Sequence, residues 1–400
     1  MINIVDKTLC CGCEACVQIC PKHCISFDED AEGFSYPVID QTSCIDCGLC
    51  EKICHEIHPF EEKKPIRIIA ANNKKKEVRL NSSSGGIFTC LAENCIKEGG
   101  VVFGARFDEN WEIIITETDN IDDLNFFRGS KYVQAKIGDS FKKTKEYLDG
   151  GRKVLFSGTP CQIAGLNHFL KKEYKDLLTV DFVCHGVPSP MVWRKYLEEV
   201  KQKEKKDAHK ADKYVRIKSI SFRDKISGWK KYSFTLTLAT DSADGKKNSV
   251  SFSHIYNEDI YMKAFLTNLI LRPSCYVCPS KCGKSHADIT MADFWGIENV
   301  KPEMDDDIGT SLVLINSTKG ESSIPFSEMS YSDTTYEIAK TCNPSIWRSP
   351  KCHPKREHFF SQLSEVEFIS KQIERELRKP LNRRIVMAFK RLVKRFIGRC

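Results

Sequence analysis

Cys10-Cys11-Gly12-Cys13-Glu14-Ala15-Cys16-Val17-Gln18-Ile19-Cys20-Pro21 decides how the amino-terminal end of the chain is read. Cys10, Cys13, Cys16 and Cys20 follow C-x2-C-x2-C-x3-C, and Cys44, Cys47, Cys50 and Cys54 repeat the spacing. In such a run three close thiolates hold a [4Fe-4S] cube, and the fourth cysteine crosses to the other cube. Cys10, Cys13, Cys16 and Cys54 are therefore assigned to one cube, and Cys20, Cys44, Cys47 and Cys50 to a second. Thiolate is a soft ligand that suits iron, and the short loops aim backbone amides at the cluster sulfurs.

Zinc is the alternative owner of clustered cysteines, but its knuckles pair two C-x2-C units across a longer gap. Two runs of four cysteines do not have that form. One departure stands out: His55 follows Cys54 where Pro21 follows Cys20. Losing the proline changes the exit turn without removing a ligand. Cys11 and Cys24 fall off the pattern and are read as spectators.

With 400 residues, 41% of them hydrophobic, the chain suits two or three globular domains. Its twenty cysteines, with the first ligand already at position 10 and no export signal expected, argue for metal rather than disulfides and for a reducing cytoplasm poor in oxygen. No apolar run approaches the ~20 residues of a spanning helix. The formal charge of +7 is concentrated in Leu377–Cys400, which carries nine Lys or Arg and no acid. The remaining body is slightly acidic, and nucleic acid is not expected as a partner.

The cluster domain is expected to occupy residues 1–60, followed by a charged linker at Glu61–Pro65. Ile66–Ala71 reads as a buried strand. Asn81–Gly86 is a polar turn opening a helix whose apolar face carries Ile87, Leu91 and Ile96. Val101–Phe107 and Ile113–Glu117 read as an antiparallel pair, Ser140–Leu148 as a helix, and Lys153–Phe156 and Leu177–Cys184 as strands. The alternation predicts an α/β (α+β) core with a mixed sheet. Apolar and polar residues alternate from Arg216 to His254, which predicts an antiparallel sheet. Lys201–Lys213 is a charged insertion, expected as a solvated helix end or loop.

A second cysteine constellation lies in the core. Cys275, Cys278 and Cys282 share one loop, Cys161 opens a helix after a strand, and Cys184 ends another strand. Carboxyl ends of strands are where ligand sites gather in α/β sheets. Cys161, Cys184, Cys275 and Cys278 are the preferred ligands of a third [4Fe-4S] cluster, with Cys282 in reserve; zinc or inert thiols are the alternatives. Ser83, Gly85 and Gly86 at one helix start, and Gly158 and Thr159 at another, offer backbone amides suited to a phosphate. No GxGxxG follows the first core strand, which disfavours a nicotinamide-dinucleotide domain. His185 is a lone histidine and a weak catalytic candidate.

Ser82–Gly86, Arg128–Gln134, Ser157–Leu166, Cys184–Gly186, Phe222–Lys225, Leu271–Cys278, Ala287–Thr290 and Asp293–Gly296 resemble the coenzyme F-420 hydrogenase/dehydrogenase β-subunit family. The resemblance runs from residue 1 to about 362. It implies FAD beside an iron–sulfur centre, with Ser83, Gly85, Gly86, Gly158, Thr159 and Gln162 as flavin contacts. Cys161, Cys184, Cys275 and Cys278 match the family's second cysteine set. The family part divides at about 185 into segments 66–185 and 186–362.

Two functions follow as expectations. The first is a ferredoxin-fused flavin reductase, taking electrons from a low-potential donor and passing them through FAD to a small-molecule or lipid-linked acceptor, with polysaccharide biosynthesis as one setting. The second is the electron-transfer subunit of a larger hydrogenase or dehydrogenase complex using coenzyme F-420. In the tail, residues 363–400, Ile385, Phe389, Leu392, Val393, Phe396 and Ile397 recur at helical spacing after Pro380. That pattern suits either peripheral contact with an anionic membrane or packing on the protein's own body.

Overall fold

The computed structural model describes residues 1–207, 214–241 and 247–378. The tail helix expected after Pro380 lies outside the described residues. So does the 208–213 part of the charged insertion, whose start is the end of the helix Pro190–Asp207.

Fourteen strands are described. They are β1 (Ile25–Glu29), β2 (Ser35–Ile39), β3 (Arg67–Asn73), β4 (Val101–Phe107), β5 (Ile113–Thr118), β6 (Ala135–Lys136) and β7 (Val154–Ser157). The others are β8 (Leu177–Phe182), β9 (Tyr214–Asp224), β10 (Ser233–Asp241), β11 (Lys247–Ile255), β12 (Ile289–Asp293), β13 (Ser311–Ile315) and β14 (Met329–Asp333). Nine form one mixed sheet in the order β14-β3-β13-β12-β8-β7-β4-β5-β6. Its centre, β4-β7-β8-β12, is parallel, and antiparallel strands flank it. The inner strands read as continuous apolar runs because both faces are covered: Ile69, Ala70 and Ala71 in β3 and Val313 and Ile315 in β13 are fully buried. Helix Ile87–Lys97 packs Ile87, Leu91 and Cys90 on one face.

The antiparallel sheet β11-β10-β9 keeps the alternation read from Arg216 to His254. Phe234, Leu236 and Leu238 point inward onto Trp193, Tyr196 and Tyr261. On the opposite face Thr235 pairs with Ser253 and Thr237 with Ser251, each at 2.9 Å. Helix Ile369–Leu377 buries Ile369 and Ile373 in the same core, so the expected tail boundary at 363 falls inside packed structure.

The amino-terminal unit, with hairpin β1–β2, is fastened to this body by polar side chains. Glu14 accepts from the amides of Ile137 (2.9 Å) and Gly138 (3.0 Å). Gln18 Oε1 accepts from Phe141 N (3.0 Å) and Lys142 N (3.1 Å), capping the otherwise unsatisfied start of helix Ser140–Asp149. Arg356 clasps Glu32 in the hairpin turn, Nη1 to Oε1 at 3.0 Å.

Candidate metal and cofactor sites

The second set of amino-terminal thiols opens at the surface. Cys20, Cys44, Cys47 and Cys50 line a small cavity of about 20 Å³, and Cys47 is exposed. Cys24, read from sequence as a spectator, also lines it, with its Sγ 3.4 Å from that of Cys20. The first set lies deeper. Burial raises the Cys16 thiol far above its ordinary value, and Cys13, Cys10, Cys54 and Cys50 push it further. Burial and then Cys13 push Cys54 up to about 12. Bare thiols that oppose one another's ionisation in this way fit a centre where iron takes the place of the protons.

The core thiols come from three segments that the sheet draws together. Cys161 follows β7 at the start of helix Pro160–Leu170, and Cys184 follows the neighbouring parallel strand β8. The strand expected to reach Cys184 ends at Phe182, and the chain then leaves the sheet to meet the loop before Cys275. Arg272 N donates to Val187 O and Ser189 N to Ile270 O, both at 3.0 Å, and Val187 N reaches Cys275 Sγ at 3.4 Å. Burial raises the Cys275 thiol, with Cys184, Cys278 and Cys161 adding to it. Burial, then Cys161, pushes Cys278 up to about 12, and burial pushes Cys184 up to about 11. The four thus act on one another as a group. Cys282 stands apart: the charges acting on its thiol are those of Glu62, Lys284 and Lys281.

The first amino-terminal set abuts the core set. A side chain at Gly165 in helix Pro160–Leu170 would come within 2.9 Å of Cys13 Sγ. Cys11, the other off-pattern cysteine, sits at this boundary, hydrogen-bonded to both Cys13 and Cys161, which raises its own pKa and lowers that of Cys161. His55 Nε2 lies 3.3 Å from Cys11 Sγ and 3.1 Å from Cys161 O. Burial, then His168, holds the His55 imidazole down at about 3, so it is neutral. The departure from proline at position 55 therefore supplies a buried contact between the two regions.

Three of the expected flavin contacts have amides already bonded within the protein: Gly85 N to Ser311 Oγ (2.9 Å), Gly158 N to Val180 O (3.1 Å) and Thr159 N to Gln162 Oε1 (2.9 Å). Thr159 and Gln162 form a reciprocal capping box behind Pro160. Those three amides are therefore not free donors. An open cleft of about 400 Å³ lies beside Ser83 instead, lined by Asn81, Arg128, Ser130 and Lys131 with Phe107 and Phe222. Cofactor pockets commonly span about 300–1,000 Å³. Ser83 Oγ accepts from Ser130 N at 2.6 Å, joining the two loops. Cations beside aromatic walls fit a planar ligand bearing phosphate.

Behind the cleft the segments Phe222–Lys225 and Asp293–Gly296 converge. Arg223 pairs with Asp293 at 2.8 Å, under the Tyr232 ring (4.0 Å) and near Trp295 (5.1 Å). Trp229 stacks on Trp295 at 4.9 Å and donates to Ser83 O at 3.1 Å. Burial lowers Lys131 to about 7, its Nζ donating to Arg128 O and Gly129 O at 3.1 Å. His185 is held by Asn268 Oδ1 at 2.6 Å and meets Phe265 edge-on, outside the cleft lining.

Residues 9–56 match the family described as 4Fe-4S dicluster domain. Residues 151–334 match the family described as the carboxyl-terminal part of the coenzyme F420 hydrogenase/dehydrogenase beta subunit. The two matches together place a 4Fe-4S dicluster domain ahead of a domain of this beta-subunit family. The chain is an iron–sulfur protein related to electron-transfer subunits of oxidoreductases. A chain of the F420-reducing [NiFe] hydrogenase complex from Methanosarcina barkeri, solved with xenon, is similar at 16% identity. That likeness covers 78% of this chain and 91% of the other, with a TM-score of 0.43. No curated protein matches the chain. Among the described residues no helix is long and apolar enough to cross a membrane.

Proposed function

We infer that this protein is a ferredoxin-fused, flavin-dependent reductase, taking electrons from a low-potential donor at its amino-terminal clusters and delivering them to a two-electron acceptor. The observation that carries the reading is the continuity of three thiol sets. One opens at the surface around Cys47, a second is buried around Cys16, and the core set lies across the Cys11–His55 contact. In this reading Cys161, Cys184, Cys275 and Cys278 hold a third [4Fe-4S] cluster. FAD is held in the cleft, with Asn81, Arg128, Ser130 and Lys131 on its polar parts and Phe107 and Phe222 along its ring.

A flavin supplies the conversion between single electrons and a two-electron transfer. The chain's own contribution is to keep the inner thiols dry and to fix the three sets relative to one another. Gln18, Glu14 and Arg356 do the fixing, which favours a built-in donor over a mobile carrier. A lipid-linked glycan intermediate is one acceptor of the class, and the basic segment after Leu377 would hold the protein near it.

Anaerobic purification followed by flavin extraction and stopped-flow reduction with a reduced ferredoxin tests the reading. Extractable FAD that reduces in the wild type, and much more slowly in Cys47→Ser, is expected. Protein that retains its iron but binds no flavin would overturn it in favour of a pure electron-transfer role.

A further inference from the structure

Arg272 is fully buried, and no carboxylate pairs with it among the described residues. Its Nε donates to Cys10 O at 2.8 Å, Nη1 to Gln134 Oε1 at 3.0 Å and Nη2 to Ser35 O at 3.0 Å. Nη2 also lies 3.6 Å from Cys10 Sγ. The guanidinium is stacked over Tyr36 at 4.3 Å, and a side chain at Gly12, where φ is +72°, would come within 2.9 Å of Nη1. Three residues on, Cys275 N donates to Arg272 O at 3.0 Å, so the same residue that touches a first-cube ligand braces the turn carrying a core thiol.

A guanidinium withdrawn from water without a partner is strongly unfavourable, so a site like this needs a negative charge nearby. Glu14 and Glu56 feel the charge of Arg272 but neither hydrogen-bonds to it: Glu14 takes the Ile137 and Gly138 amides, and Glu56 Oε1 has no partner among the described residues. Of the atoms the guanidinium reaches, Cys10 Sγ is the one that becomes anionic as a cluster ligand. Cys10, Cys11 and Cys275 act on Arg272 electrostatically, and Arg272 acts on Cys161 in turn. Among the described residues the surface set has no buried equivalent: the cations lining its cavity, the Lys22 side chain and the Met1 amino terminus paired with Asp46, are exposed.

We propose that Arg272 is a fixed counter-cation shared by the first amino-terminal cluster and the core thiol set, raising the reduction potential of both above that of the surface cluster. Reduction adds one negative charge to a cluster, and a cation fixed beside it in a low-dielectric site favours the reduced form. The surface cluster, beside exposed charges only, is screened. The result is a gradient that draws electrons inward. For the core set this rests on the third-cluster reading above; for the first cluster it does not.

The test is an EPR-monitored potentiometric titration of the anaerobic full-length protein, with iron counted on every sample. Arg272→Gln is expected to weaken reduction of the inner clusters at least about tenfold, about 59 mV for a one-electron couple. The surface cluster should not move, and Arg272→Lys, which keeps the charge but loses the fork, should stay close to wild type. Gln134→Glu, nearly isosteric and adding a negative charge against Nη1, should shift the inner potentials downward too, and it serves if Arg272→Gln loses iron. Inner potentials unchanged in Gln134→Glu, or equal shifts in Arg272→Lys and Arg272→Gln, would overturn the proposal. An iron count near eight with the first cluster still shifted would remove the third cluster and leave the role of Arg272 standing.

Discussion

The two cysteine regions of this protein are built in opposite ways. In the amino-terminal unit the eight ligand thiols lie within 45 residues, and short loops with two small helices, Ala15–Ile19 and Leu49–Lys52, present them. In the core, Cys161, Cys184, Cys275 and Cys278 come from three distant segments, and a parallel sheet with a bridged loop gathers them. A locally coded site depends on its metal for order, because its small core is built largely of the ligands themselves: Cys16, Cys20 and Cys50 are buried there beside Cys24, Ile2 and Ile25. A globally coded site inherits its geometry from a fold that stands without it.

Removing iron breaks the comparison most severely. Chelation under anaerobic conditions should unfold the amino-terminal unit and leave the β4-β7-β8-β12 core folded, because metal binding and folding are one process in a ligand-built core. Hydrogen exchange read by mass spectrometry checks this: uniform deprotection of residues 1–60 and of the central strands together would show no difference between the regions. Arg223→Met, which orphans Asp293 inside the core, should cost about 3–5 kcal/mol, read as a lower urea midpoint of the holoprotein. It should also release flavin, while the amino-terminal EPR signals persist. Glu32→Gln weakens the clasp to Arg356 and should cost about 1.5–3 kcal/mol, measured the same way. Cys282→Ser should change neither the iron content nor the midpoint, because that thiol lies apart from the other three sets.

What could be read from sequence follows the same division. The spacing of Cys10–Cys20 and Cys44–Cys54 is local, and the ligand runs need nothing else to be recognised. Strand identities and the alternation in β10 were equally legible, since period-two burial is written into consecutive residues. Cys161 and Cys184 stand out because strand ends are visible in the pattern. The contacts that join the regions were not legible. Arg272 reaches Cys10 across 262 positions and Cys11 meets His55 across 44, so neither leaves a local signature. The glycine-rich helix starts show the same limit: the Gly85 amide looks free until Ser311, 226 residues away, is seen to take it. The departure at His55 was the one available hint that the second exit turn has a partner.

The core thiol set carries the account, and an iron count paired with EPR on anaerobically purified protein tests it most directly. Three four-iron cubes give about twelve irons per chain, and Cys275→Ser should bring the count to about eight with both amino-terminal signals intact. A wild-type count near eight that Cys275→Ser leaves unchanged would contradict the account, making the four core thiols structural and ending the electron path at the first cluster.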